Sequence, residues 1–297
     1  MKAFSLFLTF IVITPALLAQ YYELPEEEET PLLSVSELNV SFGNWSINPS
    51  TEGINDFQKL APRSELLKMN IDGYEFQPFG FFISNTSLNL NVGFNIRSNW
   101  KEKYGQRLRI GLSSAQAELL AGSYSRSDSF PYDTLVSSST GAVQILDSIN
   151  YQYLTLSHSS RSLLLDASYL IVLNPNKRWS FYTGLGLGLG WTVNAETNIQ
   201  YSSRWTTEED DYFRPVAGAS GEFDEQKTEY FRNKKSFVMT TSLPLGIDFR
   251  IGKKRQFWMP IHLFYEMQPT LRLNNIPEIG MISHLPVVQN FGLRVTI

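Results

Sequence analysis

Between Ser180 and Asn194 two unlike sets of side chains alternate without a break. Odd positions read Phe181, Thr183, Leu185, Leu187, Leu189, Trp191 and Val193, and even positions read Tyr182, Gly184, Gly186, Gly188, Gly190 and Thr192. A period of two belongs to an extended strand with one greasy face and one bare face, and it excludes a helix over this stretch. A nucleotide-binding loop would need a two-residue gap before its third Gly and a helix behind it, and this run has neither. The glycines instead predict a strand whose inner face leaves room for large side chains arriving from across a narrow barrel.

The same period recurs along most of the chain. Leu38, Val40 and Phe42 alternate with Glu37, Asn39 and Ser41, and Leu88 to Ile96 alternate with Asn89, Asn91, Gly93, Asn95 and Arg97. Leu108, Ile110 and Leu112 interleave with Arg107, Arg109, Gly111 and Ser113. Leu163 to Ile171 repeat the pattern, with Leu164 and Leu170 breaking the polar face. Ser236–Ile251, Phe257–Leu273 and Val287–Ile297 complete a set of eight strands. The links alternate in length. Short ones fall at Ser98–Gly105, Asn174–Lys177 and Gly252–Arg255, and long polar ones at Trp45–Asn85, Gly122–Ser148, Tyr201–Lys235 and Asn274–Pro286. Tight turns therefore gather at one end of an up-and-down meander and long loops at the other. The first loop contains Asp72-Gly73 between Met69, Ile71 and Tyr74, Phe76, a hairpin signal that would raise the strand count to ten.

Volume decides which face looks outward. About four to six large apolar residues on each of eight strands make roughly forty, and an eight-stranded barrel holds only a few layers of side chains. The greasy face must therefore meet lipid, which makes the expected fold an all-β, antiparallel, up-and-down transmembrane β-barrel. Trp179 and Trp191 share that face, twelve residues apart. At about 3.3 Å per residue and a tilt of about 40° they lie roughly 30 Å apart, the separation of the two aromatic girdles of such a barrel. Composition agrees, with 18% charged and 13% aromatic residues, a net charge of −4 and no Cys. Missing Cys excludes a disulfide scaffold, thiolate metal sites and a lipidated anchor, and the acidic balance excludes a nucleic-acid binder.

The final strand reads Asn290-Phe291-Gly292-Leu293-Arg294-Val295-Thr296-Ile297. With its alternation and hydrophobic end it resembles the assembly signal that outer-membrane barrels present to the insertion machinery, although Ile297 stands where that signal usually carries an aromatic residue. Residues 35–297 as a whole resemble the small eight-stranded outer-membrane β-barrels of Gram-negative bacteria, the class that includes the outer membrane protein A transmembrane domain and porin-like barrels. The resemblance implies outer-membrane lipid, lipopolysaccharide and the insertion machinery as partners. Residues 1–20 read as a signal peptide, with Lys2, an apolar run from Phe4 to Leu18 and small residues near Ala19. Residues 21–34 read as an acidic periplasmic tail. Its Glu26-Glu27-Glu28-Glu29 run is a solvated segment or, in the sharper reading, docks on arginines at the turn end.

Candidate function divides between the lumen and the loops. The inward charges are Glu37, Arg97, Arg107, Arg109, Asp248, Arg250 and Arg294 near the turn end, Asp166 at mid-height, and His262, Glu266 and Arg272 towards the loops. They form a structural ion-pair plug or, given five Arg against two acids at the turn end, a basic constriction passing small anions. An enzymatic reading starts from His158-Ser159-Ser160, the His-x-Ser spacing of lipid A deacylase barrels. The acid that the resemblance requires about a dozen residues on is replaced by Val172, so catalysis is not expected. No cofactor or metal is called for. Glu208-Glu209-Asp210-Asp211 is a loop tip whose sharper reading bridges divalent cations on lipopolysaccharide. The long loops carry Tyr124, Phe130, Tyr132, Trp205, Tyr212 and Phe213 among Ser, Asn and Asp. That suits a contact surface, and the expected role is non-enzymatic surface binding or envelope structure, with a narrow channel as the alternative.

Overall fold

The computed structural model describes residues 33–47, 53–77, 83–96, 104–136, 138–141, 143–207, 224–252 and 258–297. The signal segment, the acidic run Glu26–Glu29, the Glu208–Asp211 cluster, Arg97, Tyr212 and Phe213 lie outside them. The strands are β1 (Leu33–Ile47), β2 (Glu75–Phe76), β3 (Ile83–Ile96), β4 (Tyr104–Val136), β5 (Val143–Leu173), β6 (Trp179–Thr207), β7 (Glu225–Arg232), β8 (Phe237–Ser242), β9 (Leu245–Arg250), β10 (Ile261–Ile276), β11 (Gly280–His284) and β12 (Val287–Thr296). A short helix α1 (Ile54–Leu60) and a 3-10 turn (Leu66–Lys68) lie between β1 and β2.

Pairing closes a ring. β1 pairs with β3, and the order continues through β4, β5 and β6 to β8 and β9, then to β10, to β11 and β12, and back to β1. β8 and β9 are one barrel strand interrupted at Pro244, and β11 and β12 are another interrupted at Pro286. A proline cannot donate to a ladder, so the strands break where these rings sit. Their carbonyls still accept, from Gly184 N at 3.2 Å and Thr270 N at 2.9 Å. The result is an eight-stranded antiparallel transmembrane barrel. Trp179 and Trp191 point outward, 55% and 65% exposed, with Phe181, Leu185, Leu187 and Leu189 between them on the same face. At the turn end, Asn174 takes the left-handed conformation (φ 55°) that Asn tolerates better than most residues, and Lys177 N donates to Asn174 O at 3.0 Å.

The glycine face departs from expectation in one respect. A Cβ at Gly188 would collide with Asp166 Oδ1 and Thr240 Oγ1, which belong to the two adjacent strands. At Gly246 it would collide with the Tyr182 ring, which lies across that residue from the paired position. Gly186, Gly188 and Gly246 thus make room for side chains lying sideways from neighbouring strands, and Gly184 and Gly190 face backbone carbonyls of β5, so none of these opens space for a side chain reaching across the barrel.

The larger departure concerns the loops. Gly122–Ser148 is not a polar loop: β4 and β5 pair continuously from Tyr104↔Leu173 to Val136↔Val143, and β6 pairs with β5 up to Thr207↔Ser148. Asn274–Pro286 is no loop either: β10 and β11 pair from Arg272↔His284 to Ile276↔Gly280 around a tight turn, with Ile279 N donating to Ile276 O at 3.1 Å and Gly280 at φ 114°. Asp72-Gly73 does turn the chain, with Gly73 at φ 82°. β2 then pairs with β4 (Phe76↔Tyr124), so the first loop adds no ninth or tenth barrel strand.

The strands that rise past Trp191 acquire a second interior. On β6 the buried residues are even-numbered up to Thr192, then become Ala195, Thr197, Ile199 and Tyr201. The parity reverses where a bulge at Val193 shifts the register against Arg161 and Ser162. β4 shifts between Glu118 and Leu120. Above these bulges the inner face gains an apolar core, with Leu119, Leu120, Leu154, Leu156 and Ile199 fully or almost fully buried beside polar groups such as His158 and Thr197. Phe57 and Leu60 of α1, with Ala61, Leu66 and Leu67, complete that core. The first loop is therefore a lid packed on the top of the barrel.

Candidate functional site

The lower lumen is closed by charge. Alternation on β1 and β4 turns Glu37, Arg107 and Arg109 inward, and all three are buried. Glu37 Oε2 accepts from Arg107 Nη1 at 2.6 Å and its Oε1 from Arg109 Nε at 3.0 Å, with Asn39 Nδ2 adding a bond of 3.1 Å. Arg109 Nη1 donates to Glu266 Oε2 at 3.0 Å, and its guanidinium lies 4.8 Å from the centre of the Tyr182 ring. Arg294 pairs with Asp248 and approaches Glu37 at 3.4 Å. His262 Nδ1 lies 2.8 Å from Asp248 Oδ1 and 3.0 Å from Arg294 Nη2. Three arginines thus face three carboxylates, the arrangement a low-dielectric interior requires if no buried charge is to be left alone. Leu170, Val172 and Tyr182 form a small apolar cluster of their own.

This geometry redraws the expected charge map. His262 and Glu266 were expected towards the loops, but β10 starts at Ile261, directly after a turn, so they join the lower network. Among the described residues Arg250 makes no ion pair with it: its side chain is half-buried and its Nε finds no acceptor there. Arg107, Arg109 and Arg294 already hold carboxylates within the barrel, so among the described residues the expected basic excess is absent from the network.

Above the network lies a polar chamber of about 110 Å³. Asp166, Arg272, Arg109 and Glu266 line it with Asn89, Asn91, Asn290, Gln268 and several hydroxyls. Arg272 donates to Ser162 Oγ at 2.8 Å and to Asn274 Oδ1 at 3.3 Å. Trp45, Ala115, Leu164 and Val288 also border the chamber, and they pack with the apolar cluster that contains Phe57 and Leu60. Leu164, which interrupts the polar face in the sequence, is therefore part of the chamber's upper wall.

Polar anchors fix the lid. Asn233 Nδ2 donates to Leu60 O at 2.8 Å, closing the C-terminal end of α1, and Asn233 Oδ1 accepts from Thr197 Oγ1 at 2.8 Å. Thr197 Oγ1 lies 3.0 Å from His158 Nδ1, so a hydroxyl that donates to Asn233 accepts from a neutral imidazole protonated on Nδ1. On the lid's other side Glu229 of β7 receives Ser64 Oγ at 2.5 Å and Glu65 N at 3.1 Å. Sequence reasoning missed these anchors because Ser64, Glu229 and Asn233 read as loop polarity. The signal available was Phe57, Leu60 and Ala61 at helical spacing, within a helix of only seven residues.

His158 pairs with Thr197, six residues beyond Trp191 and hence about 20 Å along the strand from the upper aromatic level. Its partner is Thr197, and among the described residues the nearby Ser160 Oγ is buried without a partner, an arrangement that does not activate the hydroxyl. Burial pushes the His158 pKa down to about 4. Since a free imidazole titrates near 6.5, the unfolded chain takes up the proton first. The stability His158 gives is present above about pH 6.5 and is lost as pH falls towards 4, by up to about 3 kcal/mol. Proteolysis of the lid segment should accelerate between pH 7 and pH 4.5 in the wild type and much less in His158→Gln. Equal acceleration in both would assign the acid response to other groups.

No family model matches the chain, and no curated protein matches it in sequence. Solved structures do. Neisserial surface protein A shares 10% identity over 89% of this chain and 99% of that one, with a TM-score of 0.30. Ail, the attachment invasion locus protein of Yersinia pestis, shares 9% over 88% and 95%, with a TM-score of 0.22. The beta domain of the Bordetella autotransporter BrkA shares 11% over 89% and 100%, with a TM-score of 0.23. These superpositions are loose, so the assignment to the eight-stranded outer-membrane type stands on the closed strand ring and its apolar outer face.

Proposed function

We propose that this chain is an outer-membrane protein that binds at the cell surface, with the barrel as its anchor and the extracellular sheet as its working part. One observation carries the reading. β4, β5 and β6 continue as paired strands well past the upper aromatic level and enclose their own apolar core under a docked lid, so the extracellular part is a folded unit and not a set of slack loops. A rigid platform costs less ordering entropy on binding than free loops do. Trp179 and Trp191 serve as the two girdles, and the ion network of Glu37, Arg107, Arg109, Asp248, His262, Glu266 and Arg294 serves as a plug. The balanced charge below the chamber and the apolar roof above it favour an anchor over a channel.

Cells displaying the full chain are expected to adhere to panels of matrix proteins, glycans or eukaryotic cells. A version with residues 122–156 replaced by a short turn should lose that adhesion while still inserting. In planar bilayers the purified protein should show no conductance steps. Steady anion-selective steps without adhesion would overturn the proposal in favour of a channel.

A further inference from the structure

Above the barrel, β7 pairs with β6 along Glu225–Arg232, and among the described residues its other edge meets no strand. β10, which flanks β8 below it, ends at Ile276, one step past the Asn275↔Phe237 pair. Asn233 N donates to Ala195 O at 2.9 Å, so the odd-numbered residues of β7 exchange backbone bonds with β6. The N–H and C=O groups of Gln226, Thr228, Tyr230 and Arg232 therefore point off the edge. The odd side chains lie towards the lid, where Glu229 accepts from Ser64 Oγ and Glu65 N and Phe231 packs on the apolar core. The even ones face solvent, Tyr230 at 71% exposure. Charges on an edge strand ordinarily turn other strands away. Here their order is matched about Thr228: Lys227 on one side answers Glu229 on the other, and Asp224 answers Arg232.

We propose that β7 pairs, antiparallel, with β7 of a second copy of the chain held in a facing membrane. The proposal rests on the surface-binding reading above and names its partner. A row of free backbone donors and acceptors takes an added strand, and the side chains select which one. Since only even-numbered groups face the edge, a two-fold axis between two copies passes through a residue and not between two. With the axis at Thr228, Lys227 of each copy meets Glu229 of the other, Gln226 meets Tyr230, Thr228 meets itself, and Arg232 comes opposite Asp224 at the ends. Moving the axis to Lys227 sets Lys227 against Lys227 and Glu225 against Glu229. Moving it to Glu229 sets two glutamates face to face. Like charges directly opposite are destabilising, so one register is selected. Symmetry then decides where the second copy sits. Two barrels in one membrane point β7 the same way relative to that membrane, and such strands cannot run antiparallel. Antiparallel pairing needs barrels that face each other head to head, from two membranes. Each contact is small, with the even residues exchanging backbone bonds along one short strand, and many copies across a cell face multiply it.

Two cell populations displaying the full chain, each with its own epitope tag, provide the test when mixed. Wild type should form clusters that contain both populations, and fewer of them at high salt. Thr228→Pro deletes an N–H that faces away from β6, so the gel shift of the barrel should stay while mixed clusters fall at least about tenfold. The chain has no Cys, so Thr228→Cys supplies a single thiol. Hydrogen-bonded partners lie about 5.5 Å apart at Cα, within disulfide reach, and a linked dimer carrying both tags is expected. Tyr230→Cys should not cross-link, because across the axis it stands about 13 Å from its own copy. Clusters untouched by Thr228→Pro, linked dimers that never combine the two tags, or cross-linking of Tyr230→Cys in place of Thr228→Cys would each overturn the proposal. So would clusters formed equally with cells that lack the chain, which would assign the edge to another surface component. Adhesion to protein, glycan or eukaryotic-cell panels that survives Thr228→Pro, without clustering of the displaying cells, removes the self-partner alone. Absence of both removes the surface-binding reading itself.

Discussion

Glu37→Gln is expected to lower the unfolding free energy by about 3–5 kcal/mol, the usual cost of removing one partner from a buried ion network. Glu37 is fully buried, takes hydrogen bonds from Arg107, Arg109 and Asn39, and has Arg294 at 3.4 Å. A neutral amide leaves three buried guanidinium groups facing Glu266 and Asp248 only. Arg109 retains Glu266 and Arg294 retains Asp248, so the unmatched charge falls on Arg107, which has no other carboxylate partner among the described residues. A compensating change follows from that arithmetic. Glu37→Gln combined with Arg107→Met restores two cations against two anions and should recover a large part of the loss. Urea midpoints of the refolded protein, read by the gel shift between folded and heated forms, give all four corners of the cycle. A strictly additive pair, or a Glu37→Gln midpoint equal to wild type, would show that the network is wet and that its charges are screened individually.

The network also shows where sequence reasoning reaches its limit. That Glu37, Arg107, Arg109, Asp248, Arg250 and Arg294 point inward is legible, because strand parity is fixed by the hydrophobic face. Which of them meet is set by register and by side chains leaning across neighbouring strands, and neither is written in a period of two. Arg250 has the right parity and height yet stays outside, whereas Glu266 reaches Arg109. The unit above the barrel was hidden for a related reason. Leu154 and Leu156 alternate as a strand should, but the bulge at Val193 moves the buried set on β6 from Thr192 to Ala195 and Ile199, so a single parity followed along the chain loses the pattern. Polar residues such as Ser123, Ser125 and Arg126 then look like a loop, although they lie in paired strands. The membrane barrel is legible because lipid imposes one rule on every strand. The part above it follows the looser rules of a water-soluble core.

That division leads to the second large effect. Phe57→Ala should destabilise the docked lid by about 3–5 kcal/mol, the cost of removing an aromatic ring from a closed core, and should leave the barrel folded. Phe57 is fully buried against the apolar interior that includes Leu119, Leu156 and Ile199, while α1 is only seven residues long. So short a helix does not hold itself together in water, and its structure depends on tertiary packing. The polar anchors beside the helix, Asn233 to Leu60 O and Glu229 to Ser64 and Glu65, give about 1 kcal/mol each where neutral groups meet and somewhat more where the carboxylate accepts. They orient the lid but cannot replace the ring. Protease cutting between Lys59 and Lys68 should therefore become much faster in Phe57→Ala, while the membrane barrel keeps its gel shift and its urea midpoint. If barrel and lid instead melt together, the two interiors are one cooperative unit, and the sheet above the barrel would owe its rigidity to the membrane anchor and not to the core beneath its own lid.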